Sequence, residues 1–163
     1  MTYRELKKSD ITQWELLARP EFLETDFCDR DYLLEKWDYL KGFILLNEQD
    51  WVGVILLDFN SNVNAGGVSF LQVITFPNYR GKGYTKYLYK LGFDNSKGLF
   101  KTGCVDPENI ASQNCFINYG FTHKTFYKHW QKYECAGDYY PNELKEVHIY
   151  VQRIYPIYLR PYI

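Results

Sequence analysis

Residues 68–91 constrain the fold of this chain more than any other stretch. An apolar run over residues 68–76 reads as a strand and stops at Pro77, which cannot continue a ladder. Two glycines follow closely in Arg80-Gly81-Lys82-Gly83-Tyr84-Thr85, and Tyr84, Leu88 and Leu91 then recur at helical spacing. A strand that feeds a helix through a glycine turn belongs to chains that pack helices on a sheet. The turn also has chemistry of its own. Glycine lets the backbone come close to a ligand and take positive φ. The first amides of a helix lack internal partners and lie at the positive end of its dipole. Such a turn accepts phosphate oxygens, and Arg80 and Lys82 add charge. Taken alone, the same residues also fit an ordinary strand-to-helix turn. A Walker loop spaces its glycines further apart. A dinucleotide fingerprint needs a third glycine and an acidic residue beyond it, and neither pattern is present.

The rest of the chain reads as alternating strands and helices. Residues 2–7 predict a short strand, and Ser9 or Asp10 can cap a helix that runs to Ala18 and is stopped by Pro20. Residues 21–31 are acidic and irregular, with Glu21, Glu24, Asp26, Asp29 and Asp31. Leu33, Trp37 and Leu40 predict a second helix, with Gly42 as its C-terminal cap. Residues 43–46 and 51–57 are apolar runs joined by Glu48-Gln49-Asp50, which predicts a hairpin. Residues 60–67 predict a loop, and residues 100–105 a short strand. Residues 108–118 predict a helix ended by Gly120, and residues 121–130 and 147–154 two closing strands. The order is β-α-α-β-β-β-α-β-α-β-β. At 163 residues the chain is expected to form a single domain, residues 1–163.

A second segment changes the weight of the glycine turn. Asn109-Ile110-Ala111-Ser112 is followed by Phe116 and then by Tyr119-Gly120-Phe121. Together with Phe76–Thr85, this resembles motifs A and B of the GNAT superfamily of N-acetyltransferases, in the right order and spacing. Arg80 and Gly83 match motif A, whereas Thr85 departs from its small final residue. The resemblance covers residues 40–130 well and the two ends loosely. It implies an α/β (α+β) fold: a mixed, mostly antiparallel sheet of about six or seven strands flanked by about four helices.

The resemblance further implies acetyl-CoA as co-substrate, while the wide spacing of the four cysteines argues against a metal. Val73, Ile74 and Thr75 would offer exposed backbone to the pantetheine arm. Arg80, Gly81, Lys82, Gly83, Tyr84 and Thr85 would hold the pyrophosphate. Asn109 would hydrogen-bond the arm, and Ser112 and Phe116 would line the thiol end. The usual acid and base are missing. Phe116 stands where many members carry a Tyr acid, and Gln72 and Cys104 stand where members carry a Glu base. Tyr119, one turn beyond Phe116, is a candidate acid, and Gln72 could orient a water or an acceptor. His123 and His129 are further titratable groups nearby.

The implied reaction is transfer of an acetyl or acyl group to a primary amine of a small molecule or protein, by direct attack in a ternary complex. The alternatives are a non-catalytic CoA-binding sensor and a tyrosine-rich interaction domain of the same fold. The acidic segment 21–31 fits a solvated loop and also suits a cationic acceptor. Trp130, Tyr133, Tyr139 and Tyr140 suit an acceptor wall or a homodimer contact. A net charge of −1 gives no general attraction for nucleic acid. Without an apolar leader, a membrane-length run or CxxC spacing among Cys28, Cys104, Cys115 and Cys135, a cytoplasmic protein with reduced thiols is expected.

Overall fold

The computed structural model describes residues 1–21, 30–59, 68–97, 99, 101–105, 109–119, 122–125 and 148–152. Strand β1 (Thr2–Glu5) leads through a short turn into helix α1 (Ile11–Ala18). Asp10 organises that entry. Its carboxylate accepts the Lys7 amide at 2.8 Å and both terminal nitrogens of Arg4 at 2.6 and 2.8 Å. Pro20 sits in the 3-10 turn Arg19–Glu21 that ends the helix. Helix α2 (Arg30–Glu35) and the 3-10 turn Trp37–Tyr39 precede strands β2 (Leu40–Asn47), β3 (Asp50–Asp58) and β4 (Val68–Thr75). The 3-10 turn Pro77–Tyr79 and the glycine loop lead to α3 (Thr85–Asn95). Then come β5 (Lys101–Val105), α4 (Ile110–Asn118), β6 (Thr122–Thr125) and β7 (His148–Gln152).

The described strands lie in the order β1-β2-β3-β4-β5-β7-β6. Neighbours from β1 to β4 are antiparallel, β4 and β5 are parallel, and β7 is antiparallel to both β5 and β6. This is a mixed α+β architecture with a mostly antiparallel sheet. Both faces of its centre are covered, because Val52–Leu57 of β3 is buried throughout. Side chains in β3 alternate between two cores. Ile55 and Leu57 join Phe70, Leu88, Tyr89, Leu91 and Phe116 on the α3–α4 face. Val54 and Leu56 join Trp14, Ala18, Leu33 and Ile74 on the α1–α2 face. Each fully buried Val, Leu, Ile or Phe among them stabilises the fold by about 1.5–3 kcal/mol.

Lys101 fastens α3 to β5. It is fully buried, and its Nζ donates to the carbonyls of Ser96 and Leu99 at 2.8 and 2.9 Å, closing the C-terminal end of the helix. Burial lowers its pKa.

Helix α2 departs from the periodicity of its sequence. It ends at Glu35, Leu40 already belongs to β2, and Gly42 pairs with Leu56 in the sheet. Gly42 is not a helix cap. A Cβ there would lie 2.9 Å from the Leu6 side chain, and its carbonyl accepts the Leu6 amide at 2.8 Å. Strand pairing has overridden a helical spacing of apolar residues. Tyr84 is likewise the residue that caps α3, one position before the helix. The expected loop 60–67 and the residues Gly120, Phe121 and 126–147 lie outside the described residues.

Candidate active site

The glycine loop is a cradle of unused donors. Gly81 and Gly83 have φ of 75° and 76°, a conformation that a side chain disfavours. Nothing lies within 4 Å of the position a Cβ would take at either one, so their outer side is open space. No side chain caps α3. Among the described residues, no acceptor takes the amides of Gly81, Lys82, Gly83, Tyr84 or Thr85. Five donors at the positive end of a helix dipole can hold an anion of phosphate size.

The surroundings brace this loop. The Thr75 and Thr85 hydroxyls share a hydrogen bond of 2.8 Å, which ties the end of β4 to the start of α3. The Arg80 Nε donates to the Thr75 carbonyl at 3.0 Å, and its Nη2 pairs with Glu21. Tyr79 donates to Asp50 at 3.1 Å and so ties the loop to the β2–β3 hairpin. Its pKa is raised, first by desolvation and then by that bond to Asp50. The Lys82 Nζ lies 5.6 Å from the Tyr79 ring and donates to the Asn78 carbonyl at 3.3 Å. No carboxylate among the described residues pairs with it.

Beside the loop the sheet opens. β4 pairs with β5 at Val68–Lys101 and Ser69–Thr102 and nowhere further along. Past that point the β5-facing edge of β4 has no strand partner among the described residues, while β5 continues along β7 as far as Val105. Val73, Ile74 and Thr75 lie on this open part of β4. The Ile74 side chain is packed into the core on the α1–α2 face and its carbonyl faces Gly53 of β3, so the outward backbone groups here belong to Val73 and Thr75. Asn109 caps α4 by accepting the Ser112 amide at 3.0 Å. Its side-chain amide donors are not used in that bond.

A wedge between parallel strands, a glycine loop at its end and a second capped helix make a recognisable combination. The model of the Acetyltransferase (GNAT) family matches residues 9–121, well over half of the chain. The chain belongs to the GNAT family of acetyltransferases. No curated protein matches it by sequence. Solved structures show the same fold at low identity. A variant of the spermidine N-acetyltransferase of Vibrio cholerae is 18% identical, with a TM-score of 0.70, covering 93% of this chain and 94% of that one. The ribosomal-protein-alanine N-acetyltransferase of Brucella melitensis is 14% identical, with a TM-score of 0.72, covering 94% and 100%. Arabidopsis thaliana NAA60, solved with a bisubstrate analogue, is 13% identical, with a TM-score of 0.69, covering 93% and 96%.

GNAT enzymes use acetyl-CoA as co-substrate, and the unused donors and open space of the glycine loop fit its diphosphate. Among the described residues no group of His, Cys, Asp and Glu could hold a metal ion. No described helix is long and apolar enough to cross a membrane.

Tyr119 stands at the C-terminal cap of α4. Its ring stacks on Tyr89 and Phe93, each at 5.1 Å, and its hydroxyl donates to the Lys86 carbonyl at 2.7 Å. Burial raises its pKa, so it keeps its proton at neutral pH. Cys115 is also raised by burial. Gln72 is buried in β4 opposite Leu56. Phe116 is buried against Tyr89, Phe70 and Gly103, while Ser112 is half-buried on the same helix. Cys104 pairs with Ile149, and His123 with Tyr150, in the sheet. His129 and the aromatics Trp130, Tyr133, Tyr139 and Tyr140 lie outside the described residues, as does most of the acidic segment.

The braces themselves were not visible in the sequence. Arg80 and Glu21 are separated by 59 positions, and neither residue type marks the other. A hydroxyl at both Thr75 and Thr85 was the one available signal for the strand-to-helix tie.

Proposed function

We propose that this chain is an N-acetyltransferase that moves an acetyl or acyl group from acetyl-CoA to a primary amine by direct attack in a ternary complex. The observation that carries this reading is the set of five unclaimed amides from Gly81 to Thr85, beside the open edge of β4. Those amides hold the diphosphate, with Arg80 and Lys82 adding charge. On the outward edge, the backbone of Val73 and the N–H of Thr75 align the pantetheine arm as an added strand would be aligned, with Ile74 between them turned to β3. The spare Asn109 donors reach the same arm. Ser112 lines the thiol end, and Phe116 closes it from the core side.

When bound, acetyl-CoA supplies the thioester. The residues of the chain place an amine against it, which accounts for much of the rate in such transfers. An N–H on the open edge of β4 can donate to the thioester oxygen as charge develops there. Tyr119 keeps its proton and is no base; to serve as the acid for the leaving thiolate it has to release the Lys86 carbonyl. Gln72 does not titrate and can only orient a water or the amine. Removal of the ammonium proton is therefore assigned to solvent or to water held in the cleft.

The acceptor is a small-molecule amine or a peptide amine. Both kinds are represented in the names of the similar structures, one a spermidine and one a ribosomal-protein-alanine acetyltransferase. The acidic segment from Glu21 onward favours a cationic acceptor. The test is incubation with acetyl-CoA and a panel including spermidine and alanine-started peptides, following free thiol. Turnover on at least one amine is expected. Thermal stabilisation by CoA without turnover on any amine would make the chain a non-catalytic CoA-binding member. No effect of CoA on melting would remove the cofactor from the account.

A further inference from the structure

We propose that Glu21 is an internal competitor at the cofactor loop. It holds the Arg80 guanidinium when no ligand is bound, and an arriving diphosphate exchanges with it. That exchange detaches the turn after α1 from the loop before α3. The inference rests on the reading of Gly81–Thr85 as a diphosphate site.

The three nitrogens of the guanidinium are placed differently. Nε is fixed on the Thr75 carbonyl at 3.0 Å, Nη2 is paired with Glu21, and Nη1 has no partner among the described residues. Thr75 is in turn bonded to Thr85, the first residue of α3. The Arg80 side chain is therefore anchored at the strand end next to the helix start where the free amides lie. It is anchored through the one nitrogen that a phosphate does not need.

The Glu21 contact is the weaker part of this arrangement. The Arg80 side chain is 53% exposed and that of Glu21 is 21% exposed, so water screens the pair. A diphosphate carries more charge than a carboxylate, and its oxygens suit the Nη fork. Exchange then replaces one partner and leaves the Thr75 bond in place. The other loop cation, Lys82, has no carboxylate partner among the described residues, so Glu21 selectively neutralises Arg80.

The consequence for binding has a sign. Glu21 lowers the affinity of the loop for CoA, acting through Arg80. Calorimetric titration with CoA at low salt, on the full chain, tests it with Glu21→Gln, Arg80→Gln and the double variant. Glu21→Gln is expected to bind CoA about fivefold more tightly, the factor that corresponds to one exposed ion pair. Arg80→Gln is expected to bind more weakly than the parent, and adding Glu21→Gln to it should change nothing further. Glu21→Ala should behave as Glu21→Gln, and unliganded melting curves check that every variant is folded.

Unchanged or weaker binding by Glu21→Gln would overturn the competition and leave Glu21 as a simple brace. An equal gain in the Arg80→Gln background would also overturn it, since that gain would be a general charge effect. Failure of the site reading looks different. There the parent chain itself shows no CoA binding, and both readings fall together.

Discussion

The ring of Phe116 on α4 rests directly on Gly103 of β5. A Cβ at Gly103 would come within 2.3 Å of the ring Cε1 and 2.4 Å of Cζ. The para carbon, where a tyrosine carries its hydroxyl, therefore lies tight against Gly103. Phe116→Tyr is expected to lower stability by about 1–3 kcal/mol in chemical denaturation, from overpacking and a poorly partnered hydroxyl. It should not raise the rate of acetyl transfer. A rate gain at unchanged stability would show that the hydroxyl reaches the cleft.

The Thr75–Thr85 bond joins the strand that would align the pantetheine arm to the helix that would hold the diphosphate. Thr85→Val keeps the shape and removes the bond. It should lower stability by about 0.5–1.5 kcal/mol and weaken CoA binding. Thr75→Val should do the same, and the double variant should resemble either single one, because both remove one interaction. Additive losses in melting and titration would show that the two hydroxyls act separately.

Gly83 separates backbone strain from ligand contact. With φ at 76° and open space where a Cβ would stand, Gly83→Ala meets no protein atom. Its effect on stability should be limited to the backbone term, about 1–2 kcal/mol. Its CoA affinity should fall by about tenfold or more, because the methyl group enters the ligand space. Melting and titration on one sample distinguish the two effects.

Asp10 gives the fold a predicted acid limit. Its carboxyl is held below the usual range, first by the Arg4 hydrogen bonds and also by the Lys7 amide, against the opposing effect of burial. A depressed folded-state pKa contributes stability that is present above the unfolded value. That stability is lost as pH falls through the folded value. The stability difference between the parent and Asp10→Asn should be largest near about pH 7 and shrink on acidification through that range. A difference that stays constant with pH in thermal melts would contradict this assignment.

What could be read from the sequence was local. The strand, the glycine turn and the helix after it are adjacent in the chain, and Pro20, Pro77 and Asn109 mark element ends through their own chemistry. Gly42 misled because a glycine after helical spacing reads as a cap. Its actual role, room for Leu6, depends on a residue far away in the sequence. The Arg80–Glu21 pair, the buried Lys101 and the seat of Phe116 on Gly103 were hidden for the same reason. Each is decided by which strands become neighbours, and no single segment carries that information.

Everything proposed for this chain rests on the amides from Gly81 to Thr85 holding the diphosphate of CoA. Following backbone amide signals of isotope-labelled protein during a CoA titration tests it most directly. Gly81, Lys82, Gly83, Tyr84 and Thr85 are expected to shift most, with smaller shifts at Val73, Ile74 and Thr75. Loop amides that stay in place at saturating CoA, while signals elsewhere move, would contradict it.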